Sequence, residues 1–201
     1  FSDCDSLESV TIPDNVTSIG YRAFINCTSL ESITIPNSAT FIGDEAFYGC
    51  SSLTSIIIPN SVTSIGYGAF GGCSSLESIT LPFVGAQKDG TEDTYFGYIF
   101  GAENYTYNEN YVPANLKEVI ITDTTINERA FWGCISLTSI ILPDNLTSIG
   151  DYAFLGCSSL TSITIPDSVT NIGSSAFYNC SSLESIIIPD GVTTIGVETF
   201  S

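Results

Sequence analysis

Apolar and polar residues alternate in a short segment that begins at Leu160. There, Leu160, Ile163 and Ile165 are separated by Ser162 and Thr164. That alternation predicts a β-strand with one buried face. The next residue is a proline, which has no N–H to donate to a strand ladder, so we expect the strand to end in a turn there.

A second apolar cluster follows within the same segment. Val169 and Ile172 form a pair, and Ala176, Phe177 and Cys180 follow at spacings of one and three. Such spacing is typical of about one helical or 3₁₀ turn that faces the interior. The glycine that follows each second apolar pair is attributed to the backbone conformation that glycine allows.

The whole pattern returns with a period of 23 residues. The repeat, read from its leucine, starts at Leu7, Leu30, Leu53, Leu137, Leu160 and Leu183, with modified copies at Leu76 and Leu116. Repetition of this kind predicts a solenoid, in which each repeat is one turn stacked on its neighbours. Since one turn cannot offset the entropy of ordering its own residues, stacking must supply the stability.

The repeats predict one domain over residues 1–201, made of about eight turns. The chain begins at Phe1, in the last part of a repeat, and stops at Ser201, before the next cysteine position. We therefore expect a fragment of a longer array.

The fourth turn departs from the pattern, because Leu76 and Leu116 are 40 residues apart. Its strand is intact, and the irregular insertion spans residues 83–113. Alignment of the core positions places Phe100 in the column of repeat phenylalanines and Pro113 at the position of the repeat cysteine. The extra residues then form two loop extensions, and the solenoid is expected to continue through them.

The insertion is the first candidate for ligand binding. It contains eight of the chain's 23 aromatic residues, interleaved with acidic side chains. Long loops on a rigid scaffold commonly carry recognition, and exposed tyrosines offer a large contact area at a low entropy cost. The alternative is that these rings fold the loops back onto the solenoid as a small core of their own. The candidate residues are Tyr95, Tyr98, Tyr105, Tyr107 and Tyr111.

The fifth turn contains two further departures. Asn127 stands where the other turns have glycine, and we interpret it as a residue that tolerates positive φ. Trp132, the only tryptophan, follows the repeat phenylalanine Phe131. We expect its side chain on the outer edge, against the insertion.

The outward positions of the repeat strands form a second candidate surface. Three rows are predicted: one of acidic residues, threonines and a lysine, one of serines, and one of threonines and isoleucines. A curved, hydroxyl-rich and mildly acidic sheet suits a protein ligand, although stacked repeats would show such rows without any ligand. The candidate ligand-binding residues here are Glu31, Thr54, Glu77, Lys117, Glu118 and Thr138.

The charge balance limits the partners. The chain has 22 acidic and four basic residues, for a net charge of -18. Such a surface repels phosphate backbones and anionic headgroups, which argues against nucleic acid and membrane surfaces, and the chain has no apolar run long enough to span a membrane. Cationic protein surfaces and divalent ions remain open. Calcium at the acidic residues near Asn104, Asn108 and Asn110 stays an alternative, although no EF-hand loop is present.

The cysteines and the absence of histidine argue against chemistry. Seven cysteines recur at one place in the turn; an odd number cannot all pair, and a ladder of small buried apolar groups needs no reaction. We therefore expect free buried thiols. No CxxC pair and no histidine is available for zinc or as the base of a Ser or Cys nucleophile, so we expect no catalytic residue, metal site or cofactor, and no enzyme activity.

The unit CSSLTSIxIPxSVTSIGxxAFxxC, at Cys50–Cys73 and Cys157–Cys180, closely resembles the BspA-like leucine-rich repeats, also called the Treponema pallidum type. The resemblance covers essentially the whole chain. It implies an α/β solenoid, a right-handed horseshoe with the parallel sheet on its concave face and short helical or 3₁₀ turns and short strands on the convex side. It also implies a secreted or cell-surface protein, since several members are associated with adhesion to host matrix proteins.

Three functions are compatible with these residues. The first is an extracellular interaction module of the adhesin type that binds host or partner proteins. The second is a structural spacer that presents another domain. The third is a carbohydrate-binding surface on the tyrosine-rich insertion.

Overall fold

The computed structural model describes residues 1–123 and 125–201. The repeats form a parallel-stranded solenoid of about eight turns with few helices, as the period predicts. Every regular turn contributes a short strand to one series, here called the second, and the turns from Leu7 to Leu137 also contribute a strand to a first series, which Ser162 extends by a single bridge to Ser139. The two series lie on either side of the apolar interior.

The first series follows the repeat leucines and runs through the fourth turn without a break. β1 pairs with β3, β5 lies beside β3, and β5, β7, β8 and β9 pair in that order, all parallel. Ser78 pairs with Glu118 across the insertion, so the expected continuity of the solenoid is confirmed for this series. Its strands are β1 (Ser9–Thr11), β3 (Ser32–Thr34), β5 (Ser55–Ile57), β7 (Ser78–Leu81), β8 (Glu118–Ile121) and β9 (Ser139–Ile141).

The second series contains the second apolar pair of each repeat, and the insertion interrupts it. β2, β4 and β6 pair in parallel, and so do β10, β11 and β12. Beyond β6 the chain instead makes an antiparallel bridge between Ser64 and Gln87. The strands are β2 (Ser18–Ile19), β4 (Phe41–Ile42), β6 (Ser64–Ile65), β10 (Ser148–Ile149), β11 (Asn171–Ile172) and β12 (Thr194–Ile195).

Eight positions of each central turn point into the interior, as the pattern predicts. In the third turn all eight are at most 3% exposed: Leu53, Ile56, Ile58, Val62, Ile65, Ala69, Phe70 and Cys73. The repeat phenylalanines form a column, in which the rings of Phe24 and Phe47 stack at 5.3 Å and those of Phe131 and Phe154 at 5.4 Å. The stacked rings form two runs, from Phe1 to Phe70 and from Phe131 to Phe200, and within each run every ring is covered by the next one.

The segment that carries this phenylalanine differs from a helical turn. The N–H groups of Ser175, Phe177 and Asn179 donate to carbonyl oxygens 22 residues further along the chain, in the next turn. In a helix, those N–H groups would donate to carbonyl oxygens of the same segment. Ser175 and Asn179 have φ values of 52° and 58°, and the equivalent residues of the other regular turns are also left-handed. The chain thus makes consecutive tight turns that bond to the neighbouring repeat.

The repeat glycine is explained by stacking and not by its own φ. A Cβ on Gly43 would lie 2.6 Å from the backbone nitrogen of Tyr21 and 2.8 Å from the carbonyl carbon of Gly20. Gly43 does not have a positive φ, and neither does Asn127. The interpretation of Asn127 as a positive-φ residue is therefore wrong. Its side chain is accepted because the turn before it is the irregular one, and it lies beside residues 90–95 of the insertion.

The insertion carries the helices of the described chain, namely two 3₁₀ helices, Phe96–Phe100 and Tyr105–Tyr107, and the single-turn α1 (Asn108–Tyr111). Asn108 is fully buried between them and the fifth turn. Its Oδ1 accepts from the Gly97 N–H at 2.9 Å, and its Nδ2 donates to the Trp132 carbonyl at 2.8 Å. This side chain adds to the backbone hydrogen bonds that attach the insertion to the solenoid, such as that from the Phe96 N–H to the Ala130 carbonyl at 2.7 Å.

The two expected alignments of the insertion have different outcomes. Pro113 occupies the cysteine position, because the N–H of Leu116 donates to its carbonyl at 3.0 Å, as the leucine after each repeat cysteine does. Phe100 takes the expected place only with its main chain, since the N–H of Phe70 donates to the preceding carbonyl, that of Ile99. The ring next to Phe131 in the column, at 5.0 Å, belongs to Phe96.

Candidate functional site

The outward rows of the first strand series form the open face, the first candidate surface. Its rows are in exact register, for example Ser55 with Ser78, Ser78 with Glu118, and Glu118 with Ser139. Several threonine hydroxyls are already bonded, since Thr138 Oγ1 donates to the Lys117 carbonyl at 3.2 Å. The row of hydroxyls is therefore partly a structural feature of the stack. Its outward residues are Glu31, Thr54, Glu77, Lys117 and Thr138 in the first row, Ser32, Ser55, Ser78, Glu118 and Ser139 in the second, and Thr34, Ile57, Thr80, Ile120 and Ile141 in the third.

The third row exposes apolar side chains on this face. Ile57 is 68% exposed and Ile141 46% exposed, while Ile120 between them in the stack is half-buried. A partner that covers these isoleucines would gain more binding free energy than one that covers the hydroxyls beside them, because burial of apolar area drives most protein association. Sequence reasoning placed these isoleucines outward but did not select them as ligand-binding residues.

The only cation of the candidate set is not free on this face. Lys117 Nζ donates to the Ala114 carbonyl at 2.7 Å and to the Ser136 carbonyl at 3.3 Å. Glu118, half-buried, stands in the serine row between Ser78 and Ser139. The open face therefore presents carboxylates and isoleucines, with its lysine held against the main chain.

The five candidate tyrosines of the insertion have different environments. Tyr95 is buried, and its hydroxyl donates to the Ala102 carbonyl at 3.1 Å. Burial, together with the charge of Asp93, raises the pKa of Tyr95 to about 12. Tyr98 is half-buried and packs edge-on against Tyr67, and burial raises the pKa of its phenol as well. These two rings form the small core that was the alternative to binding.

Tyr105 is also engaged within the molecule. Its ring lies 5.3 Å from that of Trp132, and the guanidinium of Arg129 lies 4.8 Å from its centroid. On its other side, Arg129 lies 5.2 Å from the ring centroid of Tyr152. Trp132 is half-buried at this contact, and its expected place against the insertion is confirmed.

Tyr107 and Tyr111 are the two candidate rings that remain open, at 44% and 46% exposed. Tyr111 lines a cleft of about 670 Å³ between the end of the insertion and the second and third turns, which we call the tyrosine cleft. The sequence did not predict the cleft residues that come from the regular turns, Glu45, Tyr48 and Tyr67, because the repeat pattern does not show which repeat residues lie beside the insertion. The cleft is lined chiefly by Glu45, Tyr48, Tyr67, Phe100, Glu109 and Tyr111.

The seven cysteines are free, as expected, and six of them are buried. Each buried thiol of a regular turn donates to a phenylalanine carbonyl of the preceding repeat, as Cys73 Sγ does to Phe47 at 3.3 Å. Burial raises the pKa of Cys50 to about 12 and that of Cys180 to about 11. Thiols protonated at neutral pH and sealed from solvent are poor nucleophiles and poor metal ligands.

Neither a metal centre nor a membrane span emerges from the part of the chain that the structure covers. Within residues 1–123 and 125–201, no group of three or more acidic, cysteine or histidine side chains is placed to hold an ion. Asn108, which the calcium alternative included, uses both amide atoms within the protein. Across the same residues, no helix is long and apolar enough to cross a membrane.

The repeats also identify the class of protein. The chain matches the BspA-type leucine-rich repeat region in six copies, over residues 1–88 and 104–201. It therefore belongs to the BspA-type leucine-rich repeat family, whose repeat surfaces are compatible with protein interaction and whose typical members are not enzymes. A comparison with curated proteins found no match.

Solved structures of other leucine-rich repeat proteins are similar to this chain. A leucine-rich repeat protein from Bacteroides ovatus is 34% identical over 98% of this chain and 46% of its own, with a TM-score of 0.66. A leucine-rich repeat protein from Eubacterium ventriosum is 30% identical over 92% of this chain and 45% of its own, with a TM-score of 0.63. A leucine rich cell surface protein from Faecalibacterium prausnitzii is 30% identical, over 96% of this chain and 56% of its own, with a TM-score of 0.43. The chain spans less than half the length of the first two proteins.

Proposed function

We propose that this chain is a non-catalytic, extracellular interaction module, of the adhesin type, whose open face binds a protein. The observation that carries the proposal is the exposed isoleucine row, with Ile57 and Ile141 at 68% and 46% exposure on a sheet of rigidly registered strands. Apolar side chains flanked by carboxylates fit a partner surface that is itself apolar and basic. The setting at the cell surface is the one that family membership implies.

The acidic residues of the same face favour a basic partner further. Glu118 stands in the row next to the isoleucines, and Glu31 and Glu77 lie one row further from them. Lys117 is bonded to carbonyl oxygens. A net charge of -18 adds a long-range field that accelerates encounter with a cationic protein and repels anionic ones. A host matrix or surface protein with a basic patch is the class of ligand that this chemistry would recognise.

Binding to a panel of extracellular matrix proteins, measured by surface plasmon resonance beside a glycan array, tests the proposal. We expect the substitution Ile141→Lys to weaken an observed protein affinity by about tenfold or more, because it removes an apolar contact and adds a like charge. Ile135→Lys is the matched control, since Ile135 is 47% exposed but lies outside the strands of the open face.

The result also separates the competing functions. If no protein and no glycan binds, the chain acts as a spacer, and the proposal fails. If glycans bind, and Tyr107→Ala with Tyr111→Ala removes that binding while Ile141→Lys does not, the insertion is a carbohydrate site. Equal effects of the two isoleucine substitutions would also contradict a role for the open face.

A further inference from the structure

The tyrosine cleft is a built site that the open face does not include. Its volume of about 670 Å³ lies within the range of ligand-binding clefts. One wall comes from the second and third turns, through Tyr48 and Tyr67, and the other comes from the insertion, through Phe100 and Tyr111. The site therefore exists only where the insertion folds back on regular repeats.

The rings of the cleft are held in place by the main chain around them. Tyr48 lies against Gly71, where a Cβ would come within 2.7 Å of its ring. Tyr111 lies against Gly101, and the Tyr67 hydroxyl donates to the carbonyl of that same glycine. Tyr48 and Tyr111 nevertheless remain 45% and 46% exposed. Fixed rings with open faces need little ordering when a ligand arrives.

The charged side chains that line the cleft are acidic. Glu45 and Glu109 line it, and within the described chain no lysine or arginine does. Glu45 is paired at 2.6 Å with Arg22, which lies outside the lining, whereas Glu109 is exposed at the mouth. Burial raises the pKa of the Tyr67 phenol, and the nearby carboxylates of Glu103 and Glu45 raise it further. Phosphate, sulfate and carboxylate ligands are therefore disfavoured.

We propose that the tyrosine cleft receives a lysine or arginine side chain of a protein partner. The cation lies over the faces of the tyrosine rings and pairs with the Glu109 carboxylate, while the aliphatic stem packs against the aromatic walls. Ammonium and guanidinium groups bind to ring faces in this way, most strongly where carboxylates and partial burial assist. This deepens the proposed function and rests on it, because it takes the partner to be a basic protein.

Short model peptides test the cleft without knowledge of the partner. The probes are acetyl-Gly-Arg-Gly-amide and acetyl-Gly-Lys-Gly-amide, with acetyl-Gly-Gln-Gly-amide and lactose as neutral comparisons, titrated into the ¹⁵N-labelled chain up to about 10 mM. We expect the two basic peptides to shift the amide signals of Gly68, Gly72 and Gly101, which border the cleft. We expect the neutral probes to leave them unchanged.

Matched variants assign any shift to the cleft. Tyr111→Ala and Glu109→Gln are each expected to weaken binding of the arginine peptide by about threefold to tenfold. Tyr107→Ala and Glu92→Gln are the matched controls, because they change an exposed ring and an exposed carboxylate of the same insertion that do not line the cleft. We expect them to leave the affinity for the arginine peptide unchanged.

Three results would overturn the proposal. They are no shift with either basic peptide, equal shifts with the glutamine peptide or lactose, and equal losses in the cleft variants and their controls. In each case the proposed function is judged separately, because it depends on the effect of Ile141→Lys on protein binding. A protein affinity that Ile141→Lys reduces would stand without any basic side chain in the tyrosine cleft.

Discussion

At the scale of single residues, the solenoid depends on how closely consecutive repeats approach. The repeat glycines lie where the main chain of one turn touches that of the turn before it, and a methyl group has no room there. Gly20 is the exception, because nothing lies within 4 Å of a Cβ built on it. Gly20 lies in the first of the described turns, so no earlier turn lies against it in this structure, and its open space follows from that place.

We predict that Gly43→Ala lowers the free energy of unfolding by about 2 kcal/mol or more, because its Cβ would lie 2.6 Å from the Tyr21 nitrogen and the backbone must move. Gly20→Ala is the matched control, and it is expected to change stability by less than about 1 kcal/mol in either direction. Urea unfolding followed by circular dichroism measures both. Similar losses in the two variants would show that conformation, and not stacking, selects this glycine.

At the scale of elements, the insertion is attached to the solenoid by backbone hydrogen bonds, by the buried amide of Asn108 and by aromatic contacts. Asn108 joins the 3₁₀ helix Phe96–Phe100 to the fifth turn, while Tyr105 packs on Trp132 and Arg129. Because the amide of Asn108 is fully buried and satisfied at both ends, its loss leaves an N–H and a carbonyl without partners. The orientation of the cleft residues follows from this attachment.

Asn108→Asp is expected to destabilise the chain by about 2–4 kcal/mol, since it buries a carboxylate and removes the donor to the Trp132 carbonyl. Asn110→Asp is the control, because Asn110 is exposed on the same short helix. The emission of Trp132, the only tryptophan, reports whether the contact opens. If both variants unfold at the same denaturant concentration as the native chain, Asn108 does not fasten the insertion.

At the scale of the whole molecule, the insertion leaves the first strand series continuous and interrupts the second. β7 pairs with β8 directly, whereas β6 and β10 are separated by the Ser64 to Gln87 bridge and by Ile126, which bridges to Ile149. Each turn bonds chiefly to its neighbours, so a change in one turn is expected to act on the next. Asn127, which replaces the repeat glycine after the insertion, is the residue where that coupling is testable.

Replacement of residues 83–115 by a copy of residues 167–182 would give the fourth turn the regular length. We predict that this exchange destabilises the chain unless Asn127→Gly accompanies it, because a regular turn would then lie against position 127 and leave as little room for a side chain as at Gly43 and Gly173. We expect the free energy of unfolding of the combined variant to be about 2 kcal/mol higher than that of the exchange alone. In the native chain, Asn127→Gly is expected to lower the free energy of unfolding by about 1 kcal/mol. Thermal and urea unfolding of the four chains measure the coupling, and additive effects would contradict it.

Much of the fold follows from the 23-residue period. Residues at equivalent positions have the same neighbours one turn away, so one turn predicts the burial of Leu53, Phe70 and Cys73, the strand register and the free thiols. The expected contact between Trp132 and the insertion is confirmed for the same reason, since the position after a repeat phenylalanine lies at the outer edge. The ligand-binding residues proposed from the sequence remain predictions.

The sequence by itself therefore determined the stacked repeats, their inward residues and the membership of the family. Only the tertiary structure decided which tyrosines are exposed and that the ring of Phe96, and not that of Phe100, packs next to Phe131. It also decided that the repeat glycine is required by close contact with the main chain of the preceding turn. The physical reason is that a repeat residue is surrounded by copies of its own sequence, which can be read in advance. An insertion residue has no copy, so its neighbours are fixed by packing across the chain alone.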